Sequence, residues 1–210
     1  MIKKLFRFYS LPMYILVRPI DGFHTMKFEG KGTIKLALFN FFLLCLAYAF
    51  NSQYTGILVY AQNPLALNTL RDALILFMVV ALFCISNWSV TSLTDGEGRF
   101  KDIVMAICYA MTPLIFAVFF ATILSRYLAY EETGFYHMIM SVGVAYFALL
   151  LFIGLVVVHN YTVAKTFLTI FFTFIALLII VFLITLLFTF WQQLIVFATS
   201  LHTEIMFRGR

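Results

Sequence analysis

The sequence predicts an all-α integral membrane protein: five transmembrane helices, a short N-terminal interfacial segment and an extended last helix. Three observations carry this expectation. Of 210 residues, 64% are hydrophobic and only 11% are charged, whereas a soluble domain carries roughly 25% charged residues to cover its water-facing surface. The apolar residues come in runs of about twenty, long enough as helices to cross a hydrocarbon core roughly 30 Å thick. Those runs are almost entirely Leu, Ile, Val, Phe, Ala and Met without alternating polar positions, which selects helices over barrel strands.

The N-terminal stretch "MIKKLFRFYSLPMYILV" places basic residues before a short apolar run, as a secretory leader does. Pro12 interrupts the run, Arg18 ends it, and no small-residue cleavage site follows. Residues 1–33 are therefore expected to be a retained arm lying at the membrane surface. Lys3, Lys4 and Arg7 are its interfacial anchors on lipid headgroups.

Five spans follow in order. They are expected at about Ile34–Tyr54, Ala73–Leu93, Ile103–Leu124, Tyr136–Val158 and Thr166–Phe190, so that residues 34–190 form one transmembrane domain. With a cytoplasmic N-terminus, ten of the fourteen Lys and Arg residues fall inside and four outside, the bias that sets orientation in membranes. Beyond Phe190, residues 191–210 remain helix-compatible. Thr185, Thr189, Gln192, Thr199 and Thr203 fall close together on a 3.6-residue wheel, so an amphipathic continuation of the last helix is expected. A re-entrant turn of this tail is the alternative.

The segment "TSLTDGEGRFKDIV", Thr91–Val104, joins the second and third spans. Gly96 and Gly98 suit a tight turn through their tolerance of positive φ, and the charged residues around them keep the turn in water. It lacks the G-x-x-x-x-G-K-[ST] spacing of a phosphate loop and the twelve-residue ligand spacing of a calcium loop. At the same expected depth lie Asn87, Trp88, Tyr109, Pro113 and the "HNYTVAK" segment from His159 to Lys165. Trp and Tyr favour the headgroup region and a terminal Lys snorkels to it. Asn87 needs hydrogen-bond partners inside an apolar span and is expected to join helices. Pro113 frees a carbonyl and is expected to kink the third span. His159 has no nucleophile or second ligand near it in sequence, so an interfacial structural histidine is favoured over a catalytic one.

The span cores contain no Asp, Glu, Lys or Arg, which proton-coupled carriers usually place at mid-depth. No H-E-x-x-H zinc motif occurs, and five spans divide badly into inverted repeats. Cys45, Cys84 and Cys108 lie within spans, without metal-ligand spacing, and read as packing residues. Neither catalytic residues, nor a metal, nor a cofactor is expected.

The segments "RPIDGFHTMKFEGKG", "NWSVTSLTDGEGRFKD", the Tyr109–Pro113 pair and "HNYTVAK", in that order among five spans, resemble the Yip family of Ypt/Rab-interacting membrane proteins, in its bacterial branch. The resemblance covers about Arg18 to Phe190. It implies five transmembrane helices, a cytoplasmic N-terminus, no known catalytic residues, and a multi-pass location in the bacterial inner membrane. It also suggests association with the permease subunits of carbohydrate ABC transporters. The expected function is a non-enzymatic scaffold or accessory subunit, with membrane lipids and other membrane proteins as partners and no nucleic acid. Asp95, Glu97, Arg99, Lys101, His159, Tyr161 and Lys165 are the candidate partner-binding residues. Two other readings stay open: a channel or passive carrier using Thr185, Thr189 and Gln192 beside Asn87, and a lipid-binding or bilayer-shaping protein using the basic arm.

Overall fold

The computed structural model describes residues 10–56 and 68–208, and no strand occurs among them. Two short helices come first among the described residues, α1 (Ser10–Val17) and α2 (Pro19–Lys27). Six more follow: α3 (Ile34–Tyr54), α4 (Thr69–Leu93), α5 (Phe100–Ala110), α6 (Thr112–Ser125), α7 (Thr133–His159) and α8 (Val163–Arg208). α5 and α6 are two halves of one span, so five helical rods among the described residues are long and apolar enough to cross a bilayer. The protein is a multi-pass membrane protein, and its first four rods match the expected spans within a few residues.

The rods start where local chemistry allows. The Thr33 hydroxyl accepts from the Leu36 amide at the start of α3, and the Asn68 side chain accepts from the Arg71 amide at the start of α4. Both satisfy amides that a helix cannot satisfy internally. Asp72 in the first turn of α4 adds the charge that a helix N-terminus favours. At the far end of α7, Asn160 adopts a left-handed conformation with φ of 55°. Its amide and that of Tyr161 both turn back to the Val156 carbonyl, which closes the helix.

The third rod is the hub. It packs against α3, α4 and α7 and against α1, and 78% of its most apolar stretch is buried, compared with 6% for α8. The helix is interrupted at Met111, two residues before Pro113. Pro113 cannot donate to the carbonyl four residues back, that of Tyr109, and the Thr112 hydroxyl takes it instead at 2.7 Å. From α3, the Asn40 carboxamide donates to the Cys108 carbonyl at 2.6 Å and to Thr112 Oγ1 at 3.2 Å. Three turns further along the same face, Asn51 donates to Thr122 Oγ1 and to the Tyr136 hydroxyl. Cys84 and Cys108 are buried and all three cysteines are free thiols.

The N-terminal arm departs from a flat surface segment. α1 and α2 fold back on each other, with Ile15 against Gly22 so closely that a Cβ there would sit 2.6 Å from Ile15 Cγ1. Leu11, Ile15, Phe23 and Met26 are all buried, and Phe23 lies on Gly154 of α7, 3.1 Å from where a Cβ would stand. Pro12 and Pro19, each early in its short helix, let the segment fold into a hairpin with two buried faces instead of one long amphipathic face. Lys3, Lys4 and Arg7 lie outside the described residues.

α8 is continuous over 46 residues, about 69 Å at 1.5 Å per residue and twice what a bilayer requires. It packs on α4 through Thr166, Thr169 and Thr173, and every residue from Val181 to Arg208 is exposed. Thr185, Thr189 and Thr203 satisfy their hydroxyls on carbonyls one turn back.

Candidate functional site

At one end of the bundle, three connecting segments meet: the end of α2, the 94–99 loop and the 160–165 segment. Lys27 is the tie. Its ammonium donates to the Val158 carbonyl at 2.7 Å and lies 3.6 Å from Glu97. Glu97 in turn accepts from the Asn160 side chain at 3.2 Å. Only 11% of the Lys27 side chain is exposed, so its charge is held at the boundary by a carbonyl and a half-exposed carboxylate. A charge-assisted bond to a carbonyl is worth more than a neutral one.

The loop turns by a different device from the one its glycines suggest. Asp95 takes the left-handed conformation, with φ of 56°, while Gly96 and Gly98 do not. The glycines are required for close approach. A Cβ on Gly96 would stand 2.7 Å from His159 Nδ1, and one on Gly98 would stand 2.6 Å from Val158 Cγ1. The absence of two side chains thus lets the loop lie directly on the end of α7.

Beneath the loop, a chain of polar groups runs into the bundle. His159 is 1% exposed, and its Nε2 lies 3.3 Å from Asn87 Oδ1. The Asn87 amide donates to Thr173 Oγ1 at 3.1 Å, and Thr173 donates to the Thr169 carbonyl at 2.8 Å. Because a carboxamide oxygen only accepts, this direction of donation puts the His159 proton on Nε2. Nδ1 then carries a lone pair toward the glycine loop, without a hydrogen-bond partner. The chain joins α4, α7 and α8, so Asn87 acts between helices. Tyr161 stacks on His159 with ring centroids 5.4 Å apart, and its hydroxyl donates to the Thr94 carbonyl at 2.9 Å. The Lys165 ammonium stands 4.1 Å above the Tyr161 ring.

The structure therefore brings Glu97, His159, Tyr161 and Lys165 together and leaves Asp95, Arg99 and Lys101 pointing outward on the same end. Trp88 is half exposed and meets Phe100 edge-on. Tyr109 is fully buried; its hydroxyl donates to the Thr33 carbonyl and accepts from the Thr33 amide, locking the linker before α3 to the hub. Sequence reading missed Lys27, Asn40 and Asn51. A signal existed for the two asparagines, since they are eleven residues apart and share a helical face. Thr185, Thr189 and Gln192 stand on the exposed length of α8, more than three turns from the Thr173 to which Asn87 is bonded. Among the described residues, no group of three His, Cys, Asp or Glu side chains is placed to hold a metal ion.

Residues 13–192 match the family described as Yip1 domain. No curated protein and no solved structure matches the chain.

Proposed function

Since this chain belongs to the Yip1 domain family, we propose that it is a non-enzymatic membrane scaffold or accessory subunit that docks another membrane complex at the end formed by the arm, the 94–99 loop and the 160–165 segment. The observation that carries this reading is the knitting of three sequence-distant connections into one surface by Lys27, Glu97 and Asn160. A turn needs no such cross-linking to reverse direction. Fixed loops present their outward charges in a set geometry, which lowers the ordering cost of docking. Asp95, Arg99 and Lys101 supply those charges, and Lys165 stands over the Tyr161 ring that is bonded to Thr94.

In this reading the docking end is cytoplasmic, as the excess of basic residues on that side favours, and the membrane is the bacterial inner membrane. A permease subunit of a carbohydrate ABC transporter is the first partner to look for. The test is recovery of partners from native membranes with a version carrying Asp95→Asn, Arg99→Gln and Lys101→Gln. These changes remove charge but leave the Lys27–Glu97–Asn160 ties intact. We expect normal insertion and roughly tenfold lower recovery, about 1.4 kcal/mol of docking free energy. Full recovery of the same partners would refute the docking role.

A further inference from the structure

We propose that the tip of the α1–α2 hairpin binds the headgroup of a phospholipid near the middle of the bilayer, with one acyl chain lying in the groove between α6 and α7. This inference is independent of the docking reading, since it concerns a different face and a different ligand.

Two rulers give the depth of the tip. The Tyr146 hydroxyl donates to the Leu16 carbonyl, and Tyr146 stands midway along α7. Leu16 also lines the same groove as Pro113, which stands midway along the third rod. α2 then climbs from this level to Lys27, which is bonded to Val158 at the end of α7. The hairpin thus enters from one end of the bundle and stops near its centre.

The residues at the tip are Arg18 and, one turn further on, Asp21. Both are exposed, and neither side chain forms an ion pair or hydrogen bond with another described residue. Exposure at that depth is exposure toward lipid. A guanidinium in that setting draws water and phosphate down to it and thins the bilayer locally. A carboxylate beside it needs a cation. A zwitterionic headgroup with a phosphate and a primary amine satisfies both: phosphate on Arg18, ammonium on Asp21.

The groove supplies the rest of the site. It has a volume of about 530 Å³ and is bordered by Leu16, Phe116, Phe120, Val142, Gly143 and Tyr146. It starts at the hairpin tip and runs away from the Lys27 end. A lipid with its headgroup on Arg18 and its tail in this groove keeps the orientation of the leaflet on the Lys27 side, but sits deeper by roughly half a bilayer. α6 and α7 close the floor of the groove tightly: a Cβ on Gly143 would run into the Ala117 Cβ.

The test uses the full chain, delipidated in detergent, with native mass spectrometry to count retained molecules of phosphatidylethanolamine, phosphatidylglycerol or inorganic phosphate. Wild type is expected to retain one phosphatidylethanolamine. Arg18→Gln should weaken that retention about tenfold, Arg18→Lys should keep most of it, and Asp21→Asn should abolish the preference over phosphatidylglycerol. Val142→Trp fills the groove from a lipid-facing position without touching the charges and should weaken both lipids alike. For depth, Ile20→Trp in a chain with Trp88→Phe and Trp191→Phe should be quenched most by lipids brominated deep in their chains. Equal retention by wild type, Arg18→Gln and Val142→Trp would overturn the proposal. So would displacement of the lipid by inorganic phosphate alone, or strongest quenching by lipids brominated near the headgroup.

Discussion

Asn40 on α3 donates its side-chain amide to the Cys108 carbonyl across the gap to the hub rod, at 2.6 Å. That carbonyl lies in the last turn before the break at Met111, where the helical ladder is interrupted. A break inside a span leaves backbone acceptors that hydrocarbon cannot solvate, and here a neighbouring helix satisfies one of them.

Replacing Asn40 by Leu should therefore lower stability by about 0.6–2 kcal/mol, the span of measured interhelical hydrogen bonds in membranes. The readout is the midpoint of thermal unfolding in detergent. Asn51→Leu, at the other end of the same face, should cost a similar amount. The two losses should add, because the sites lie far apart and share no partner.

The two glycines and the aspartate of the 94–99 loop should respond oppositely. Gly96→Ala and Gly98→Ala push a methyl into His159 and Val158, and overpacking of that kind costs about 1–3 kcal/mol. Asp95→Gly relieves a left-handed conformation and should be neutral or stabilising by up to about 1 kcal/mol. Unfolding midpoints of the three variants decide the matter. Tolerance of both alanines would mean that the loop does not lie on α7.

Release of the arm has its own signature. Lys27→Met removes the bond to Val158, and Phe23→Ala empties the contact with Gly154. Each should expose residues 10–27 to limited proteolysis, with Phe23→Ala the stronger because a buried aromatic truncation costs about 3–5 kcal/mol. Glu97→Gln should have little effect, since that carboxylate is more than half exposed and exposed ion pairs contribute about 0–1 kcal/mol.

The direction of donation from His159 through Asn87 to Thr173 is open to a spectroscopic check. Nitrogen NMR of protein labelled at histidine should show His159 neutral with its proton on Nε2. Asn87→Asp would reverse the polarity at the imidazole by placing a carboxylate against Nε2. It should hold the Nε2 proton in a stronger bond and shift the ring-nitrogen resonances, because a charged acceptor bonds more strongly than a neutral one. Unchanged ring-nitrogen resonances in that variant would mean that Asn87 and His159 do not touch.

The spans were legible because they obey a one-dimensional rule: a bilayer needs about twenty apolar residues in a row. Pro113 was legible for a similar reason, since the missing amide acts on its own helix. Asn87 could be read as a joining residue from the cost of leaving an amide unpaired in an apolar span. Its partners could not, because Thr173 and His159 lie on other rods. The backbone freedom of Gly96 and Gly98 suits a turn, yet the structure uses their lack of a side chain. Lys27 read as one more basic residue of the arm until folding set it against Val158 and Glu97.

The sequence by itself determined that this protein lives in a membrane, how many times its chain can cross, and where its polar residues interrupt the apolar runs. These follow from solvation, which each segment meets independently of the others. Tertiary structure alone decided that the third rod is the hub, that the N-terminal segment sinks as a hairpin to the level of Tyr146, and that three distant connections close over His159. Apolar faces toward lipid and toward protein are chemically alike, so only packing geometry distinguishes them.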